Sequence, residues 1–134
     1  MNKHTCRIRV IYADTDAMGI VYHTNYIKWF EIGRTEMMRD IGLIYAELES
    51  DQFNLPLSEA YCHYLSPAKY DEVLLIETAI DYVRRASIKF NYEIWDNDHT
   101  RQLVEGYTVH ACTTSEGKIV RFKSDFMEKI NRNL

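Results

Sequence analysis

A chain of 134 residues suits one domain and is too short for two. Its 46% hydrophobic content gives no reason to expect disorder, and two prolines with five glycines exclude a collagen-like or linker-rich chain. A net charge of −4 with a pI near 5.7 lacks the basic footprint of a general nucleic-acid binder, although a local basic cluster could still hold an anionic ligand. No apolar run approaches the ~20 residues that a membrane span needs. The first residues lead straight into a strand-like segment without the apolar core of a secretory signal, so a cytoplasmic location is expected. Cys6, Cys62 and Cys112 are far apart and fit no metal or redox motif, so three reduced thiols are expected.

Residues 6–12 read as a strand, with Cys6, Ile8, Val10 and Tyr12 on one face and Arg7 and Arg9 on the other. A loop of turn formers follows at 13–19. One long helix is expected over 24–41, with Thr24 or Asn25 as its cap and Gly42 at the C′ position. Tyr26, Phe30, Met37 and Ile41 form its apolar stripe, widened by Trp29 and Ile32, and Lys28, Glu31, Thr35 and Arg39 form the polar one. Gly33 either admits a close neighbour or is merely tolerated at about 1 kcal/mol relative to alanine. A helical turn is expected around 44–50, an extended segment at 53–64 and a turn at 67–71. Strands follow at 73–83, with Leu74, Ile76, Thr78, Ile80 and Tyr82 on one face, at 87–95, at 102–114 and at 118–122. Asp96-Asn97-Asp98 marks a hairpin, and the tail is read as partly helical. One strand, one long helix and then antiparallel strands make an α+β chain whose sheet curls round the helix. The outer face or edge such a sheet leaves open points to dimerisation.

The segment with chemical content is Tyr12-Ala13-Asp14-Thr15-Asp16-Ala17-Met18-Gly19-Ile20-Val21-Tyr22-His23-Thr24-Asn25-Tyr26. It sets two carboxylates in a loop that runs into a helix N-terminus, where unsatisfied N–H groups favour developing negative charge. A carboxylate, backbone donors and a histidine together can serve acyl transfer. Taken singly, each has an ordinary explanation: loop aspartates cap turns, and a lone histidine is usually solvated. His4, His63, His99 and His110 show no ligand spacing, and no metal site is expected.

This stretch, D-T-D-A-M-G-I-V-Y-H-T-N-Y followed by I-K-W-F-E-I-G-R-T-E, resembles the 4-hydroxybenzoyl-CoA thioesterase family, most closely its YbgC-type, Tol-Pal-associated branch. L-P-L at 55–57, P-A-K-Y-D at 67–71 and R-R-A-S-I-K-F at 84–90 have comparable segments there. The resemblance implies a single hotdog domain over 1–134, an antiparallel sheet wrapped around one long helix. It implies hydrolysis of an acyl-CoA thioester, with coenzyme A as part of the substrate and no separate cofactor. The implied catalytic carboxylate is Asp16, acting as nucleophile or as general base. The backbone N–H of His23 would polarise the thioester carbonyl, with the side chains of His23 and Tyr12 also in the site. Asp14 is read as a turn or capping residue.

Each supporting residue keeps a second reading. His23 holds water, orients Asp16 or binds substrate, or is a solvated helix-start residue whose backbone alone matters. Tyr12 lines the core or pocket, or hydrogen-bonds within the site. Arg84, Arg85 and Lys89 contact the phosphates of coenzyme A or form a solvated basic edge, Ser87 lines the pantetheine path, and Arg121 is a weaker candidate. The resemblance further implies a homodimer or homotetramer with active sites at the dimer interface. Two other functions stay open: action on acyl carrier protein thioesters, and a mainly binding or scaffold role in envelope or lipid-synthesis machinery. The acyl group is left undetermined.

Overall fold

The computed structural model describes residues 2–50 and 53–134. The elements are β1 (His4–Arg9), a 3₁₀ turn (Tyr12–Asp14), α1 (Asn25–Asp40), α2 (Tyr45–Ser50), β2 (Leu57–Tyr64), β3 (Val73–Val83), β4 (Ser87–Asp96), β5 (Gln102–Ala111) and α3 (Ser124–Asn131). The strands form one antiparallel sheet in the order β1-β3-β4-β5-β2, so β1 and β2 are its edges. The sheet's inner face packs on α1, as the strand-helix-strands pattern predicts.

Alternation makes this core. Leu74, Ile76, Thr78 and Ile80 of β3 and Ile88, Phe90, Tyr92 and Ile94 of β4 are all buried, facing Tyr26, Trp29, Phe30, Met37 and Met38 of α1. Phe30 stacks flat on Tyr92, with centroids 4.3 Å apart. Two glycines let α1 sit this low. A Cβ on Gly33 would lie 2.5 Å from Thr78 Oγ1 and 2.7 Å from Ile76 Cγ2, so Gly33 is a close-approach position and not a tolerated accident. Gly106 of β5 lies beneath the Phe30 ring. Gly42 takes φ +87° at the end of α1, and Leu43 N–H donates to Met38 O while Gly42 N–H donates to Arg39 O, the Schellman pattern that the C′ glycine predicts.

The structure corrects several boundaries. A bulge between Ile80 and Tyr82 shifts side-chain parity by one, so Tyr82 pairs with Lys89 on the outer face and Val83 turns to the core instead. β1 stops at Arg9 because the Asp14 carboxylate accepts the Ile11 N–H and draws 12–14 into the 3₁₀ turn. Tyr12 therefore leaves the apolar face and is 78% exposed. Neither Thr24 nor Asn25 caps α1 through its side chain: Thr24 makes no cap hydrogen bond, and Asn25 reaches back to the Asp14 carbonyl. Segment 118–122 forms only an isolated bridge, Thr113 to Ile119.

A buried polar chain ties α1 to the sheet. The Leu55 carbonyl accepts from His110 Nδ1 at 3.0 Å, which fixes the tautomer and leaves Nε2 to accept from the Thr108 hydroxyl at 2.9 Å. Thr108 in turn accepts from Tyr92 at 2.6 Å, and Tyr92 from Arg34 at 3.4 Å. Burial, reinforced by the Arg34 charge, pushes His110 down to about 4 from its ordinary 6.5. The folded state thus resists a proton that the unfolded chain accepts. The His110 contribution to stability is therefore expected to be full above pH 6.5, to fall as the pH drops towards 4 and to level off below it, by about 3 kcal/mol in total. Urea midpoints at pH 7, 5 and 4 should show this slope in the wild type, and His110→Gln should reduce it.

Candidate active site

The loop that carries Asp16 is folded back on itself and fastened to the start of α1. Thr15 and Val21 form a bridge, Asp16 N–H donates to Ile20 O at 2.9 Å, and Gly19, with φ +80°, donates to Asp16 O at 3.0 Å. The Asp16 side chain completes the turn, its Oδ1 accepting the Met18 N–H at 2.8 Å. Among the described residues its Oδ2 has no hydrogen-bond partner. Asp16 is half-buried, so this oxygen stays within reach of water or ligand.

Asp14 has the opposite character. It is buried, its Oδ2 accepts from Ile11 N–H and its Oδ1 from Lys28 Nζ at 3.0 Å. Its carbonyl accepts from Asn25 Nδ2 and from Tyr22 N–H. It is the bolt between loop and helix, in agreement with its reading as a turn residue. The pair of aspartates is thus divided into one structural carboxylate and one available carboxylate.

At the helix start, His23 is exposed, and its carbonyl accepts from Tyr26 N–H at 3.4 Å and from the Tyr64 hydroxyl at 3.1 Å. Among the described residues no acceptor meets the His23 or Thr24 N–H, so these donors stand free at the positive end of α1. The His23 ring tilts against Tyr22 at 4.5 Å and lies edge-on to Tyr64 at 6.2 Å. Beside it opens a groove of about 340 Å³ lined chiefly by Val21, His23, Tyr26, Tyr64, Leu65 and Pro67. Burial and the neighbouring Cys62 thiol push Tyr64 up to about 12, so it remains a hydroxyl donor at any working pH. Asp16 is not part of this groove's lining, and no hydrogen bond or ion pair joins the Asp16 and His23 side chains among the described residues.

The other sequence-derived residues lie elsewhere. Tyr12 points outward, edge-on to Tyr70 at 5.7 Å, so its reading as core or pocket lining is corrected for the single chain. Arg84, Arg85 and Ser87 share the β3–β4 hairpin, where the Arg84 guanidinium lies 4.1 Å over the Tyr82 ring. Lys89 sits on the outer sheet face, 3.3 Å from Asp81 and 4.2 Å above the Tyr107 ring. The Asp16 loop adjoins the other end of β3, where Val10 hydrogen-bonds with Asp71 and Glu72. A strand of this length separates the two by roughly 30 Å. One chain therefore does not bring its basic hairpin to its own Asp16.

Two contributors were missed in the sequence. Tyr64, at the end of β2, walls the groove and holds the His23 carbonyl. Arg101 clamps the segment behind the groove, donating to Ser66 Oγ and Pro67 O at 2.8 Å and pairing with Glu72 at 3.0 Å. Neither stands in a motif; both become visible only when the strand ends meet.

The chain matches the thioesterase-like superfamily over residues 10–130. It is 36% identical over 91 residues to the acyl-CoA thioesterase YbgC of Haemophilus influenzae, with 67% of each chain covered. It is 34% identical over 93 residues to the acyl-CoA thioester hydrolase YbgC of Escherichia coli O6:H1, with 69% of each covered. Its backbone superposes on the DHNA-CoA thioesterase of Staphylococcus aureus with a TM-score of 0.94 at 26% identity, covering 98% of this chain and 91% of that one. The fold wrapped around α1 is the hotdog fold, and the chain belongs to the thioesterase-like superfamily.

Proposed function

We propose that the protein is an acyl-CoA thioesterase whose catalytic carboxylate is Asp16. The observation that carries this reading is the division of labour in the loop: Asp14 is spent on structure, whereas Asp16 keeps one oxygen free in a loop fastened to a helix start with free N–H donors. In the reaction, water oxygen is added to the thioester carbonyl carbon, the C–S bond breaks, and coenzyme A leaves as a thiolate that takes up a proton. Asp16 either removes the proton from water or attacks the carbonyl to form an anhydride that water then opens. The His23 N–H at the positive end of α1 stabilises the oxyanion; loss of one such donor costs about 3–4 kcal/mol in well-studied cases. The His23 ring, next to Tyr64, is suited to holding water or the acyl group at the groove.

A second copy of the chain completes this site. β2 is an edge strand with its eight residues largely exposed, and Leu57, Tyr61, Tyr64 and Leu65 lie bare along it or just beyond it. An uncovered edge of that length pairs readily with another strand. Pairing two copies supports the homodimer, and through the outer sheet faces a homotetramer. It would bring Arg84, Arg85, Ser87 and Lys89 of one copy towards the substrate of the other, where their cations suit the phosphates of coenzyme A. The reading places the enzyme in the cytoplasm, without metal or separate cofactor. Among the described residues no helix is long and apolar enough to cross a membrane.

Competition separates the carriers. With matched acyl groups, the acyl-CoA ester should be hydrolysed at least tenfold more efficiently than the acyl carrier protein ester. The reverse order would assign the site to carrier-protein chemistry, and inertness towards both would favour a binding role.

A further inference from the structure

A second cavity, of about 310 Å³, opens on the flank of α1 that faces the β2 side of the sheet. Ile27, Leu55 and Leu57 form its apolar walls, and Arg34, Thr35 and His110 are among its polar ones. The Arg34 side chain is only 16% exposed. A guanidinium set against apolar walls is best met by a carboxylate in close, bidentate geometry. Among the described residues it has a single hydrogen bond, to Tyr92 at 3.4 Å, and a distant Glu31 oxygen at 3.9 Å on a side chain that is itself 68% exposed. Most of its five N–H donors are unused among the described residues.

The rest of the cavity supplies no closer anion. His110 is neutral and both its nitrogens are committed, as is the Thr108 hydroxyl. Lys28, the other cation on this wall, is paired with Asp14. Glu31 is the one carboxylate in the lining, 3.9 Å from Arg34 and largely exposed. The cavity is therefore apolar along its sides and carries a partly exposed cation with unused donors.

We infer that this cavity is a seat for a carboxylate on an apolar stem, held by the Arg34 guanidinium. The inference rests on the thioesterase reading for the stem's origin, and not for the site itself. Arg34 lies nine residues beyond Asn25, and helical side chains lean towards the N-terminus, which puts its head group roughly 10 Å from the helix start. That separation suits the far end of a medium-length dicarboxylic acyl group whose thioester sits at His23. A free carboxylic acid of the same shape would satisfy Arg34 equally well.

Binding of suberate, a free dicarboxylate, to the intact protein is followed by calorimetry or by NMR shifts, alongside hydrolysis of suberoyl-CoA and octanoyl-CoA. The wild type should bind suberate at least tenfold more tightly than Arg34→Met, with Arg34→Lys intermediate, since it keeps the charge and loses the planar fork. If the acyl group is the source, the suberoyl-to-octanoyl ratio of kcat/KM should exceed ten in the wild type and collapse towards one in Arg34→Met. If a separate acid is the source, suberate should bind with that ratio near one in both proteins. No suberate binding by the wild type, or equal binding by folded Arg34→Met and Arg34→Lys, overturns the inference. So does loss of the native assembly in Arg34→Met, because the guanidinium would then be serving a partner chain. The binding arm needs no turnover, so failure of the thioesterase reading would not be mistaken for failure of the carboxylate seat.

Discussion

Asp16→Asn is expected to lower kcat for thioester hydrolysis by about 10²–10⁴-fold, the range typical for loss of a positioned acid–base group. The substitution should leave the loop intact. An asparagine Oδ1 still accepts the Met18 N–H, and the backbone bonds from Asp16 to Ile20 and from Gly19 to Asp16 do not involve the side chain. The bolt to α1 belongs to Asp14 and is untouched. What disappears is the negative charge, and with it both the capacity to take a proton from water and the capacity to attack the carbonyl. The effect should thus fall on kcat, with KM little changed, as for an interaction made in the transition state. Equal thermal midpoints for the two proteins would locate the loss in the chemistry and not in the fold.

Gly106→Ala is expected to destabilise the protein by about 3 kcal/mol or more, at the upper end of overpacking costs. The new methyl group would run into the Tyr61 carbonyl oxygen on the paired strand and lie 2.9 Å from the Phe30 ring. A side chain could turn aside, but Phe30 is already stacked on Tyr92 and fully buried, and the carbonyl belongs to the backbone. Relief requires β2 to move away from β5 or α1 to lift off the sheet. Either would disturb Tyr64, which closes the groove from the end of β2. Urea unfolding, or failure to recover folded protein, reads the effect. A midpoint within experimental error of the wild type would contradict this packing.

The fold was legible because periodicity carries it. The alternation of β4 and the apolar stripe of α1 name the two surfaces that must meet, and Gly42 marks where the helix stops. The Tyr82 inversion was not legible, because a bulge adds one residue without any change in composition. Tyr12 was misplaced for a similar reason: alternation extends β1, whereas the Asp14 carboxylate, a local competitor for backbone donors, ends it. The aspartate pair was visible as a motif, and the resemblance already assigned Asp14 to the turn and Asp16 to the chemistry; the burial of Asp14 and the open Oδ2 of Asp16 needed the structure. Arg34 has no role of its own in the sequence reading; its partial burial depends on the approach of 55–57 and β5, which no local pattern announces.

The central claim is tested most directly by the appearance of free thiol when the intact protein is mixed with a panel of acyl-CoA esters spanning aromatic, short aliphatic and long-chain groups. The account predicts saturable turnover of at least one ester by the wild type, and at least a hundredfold loss in folded Asp16→Asn. Inertness of the wild type towards every ester, or full activity in the variant, would contradict it.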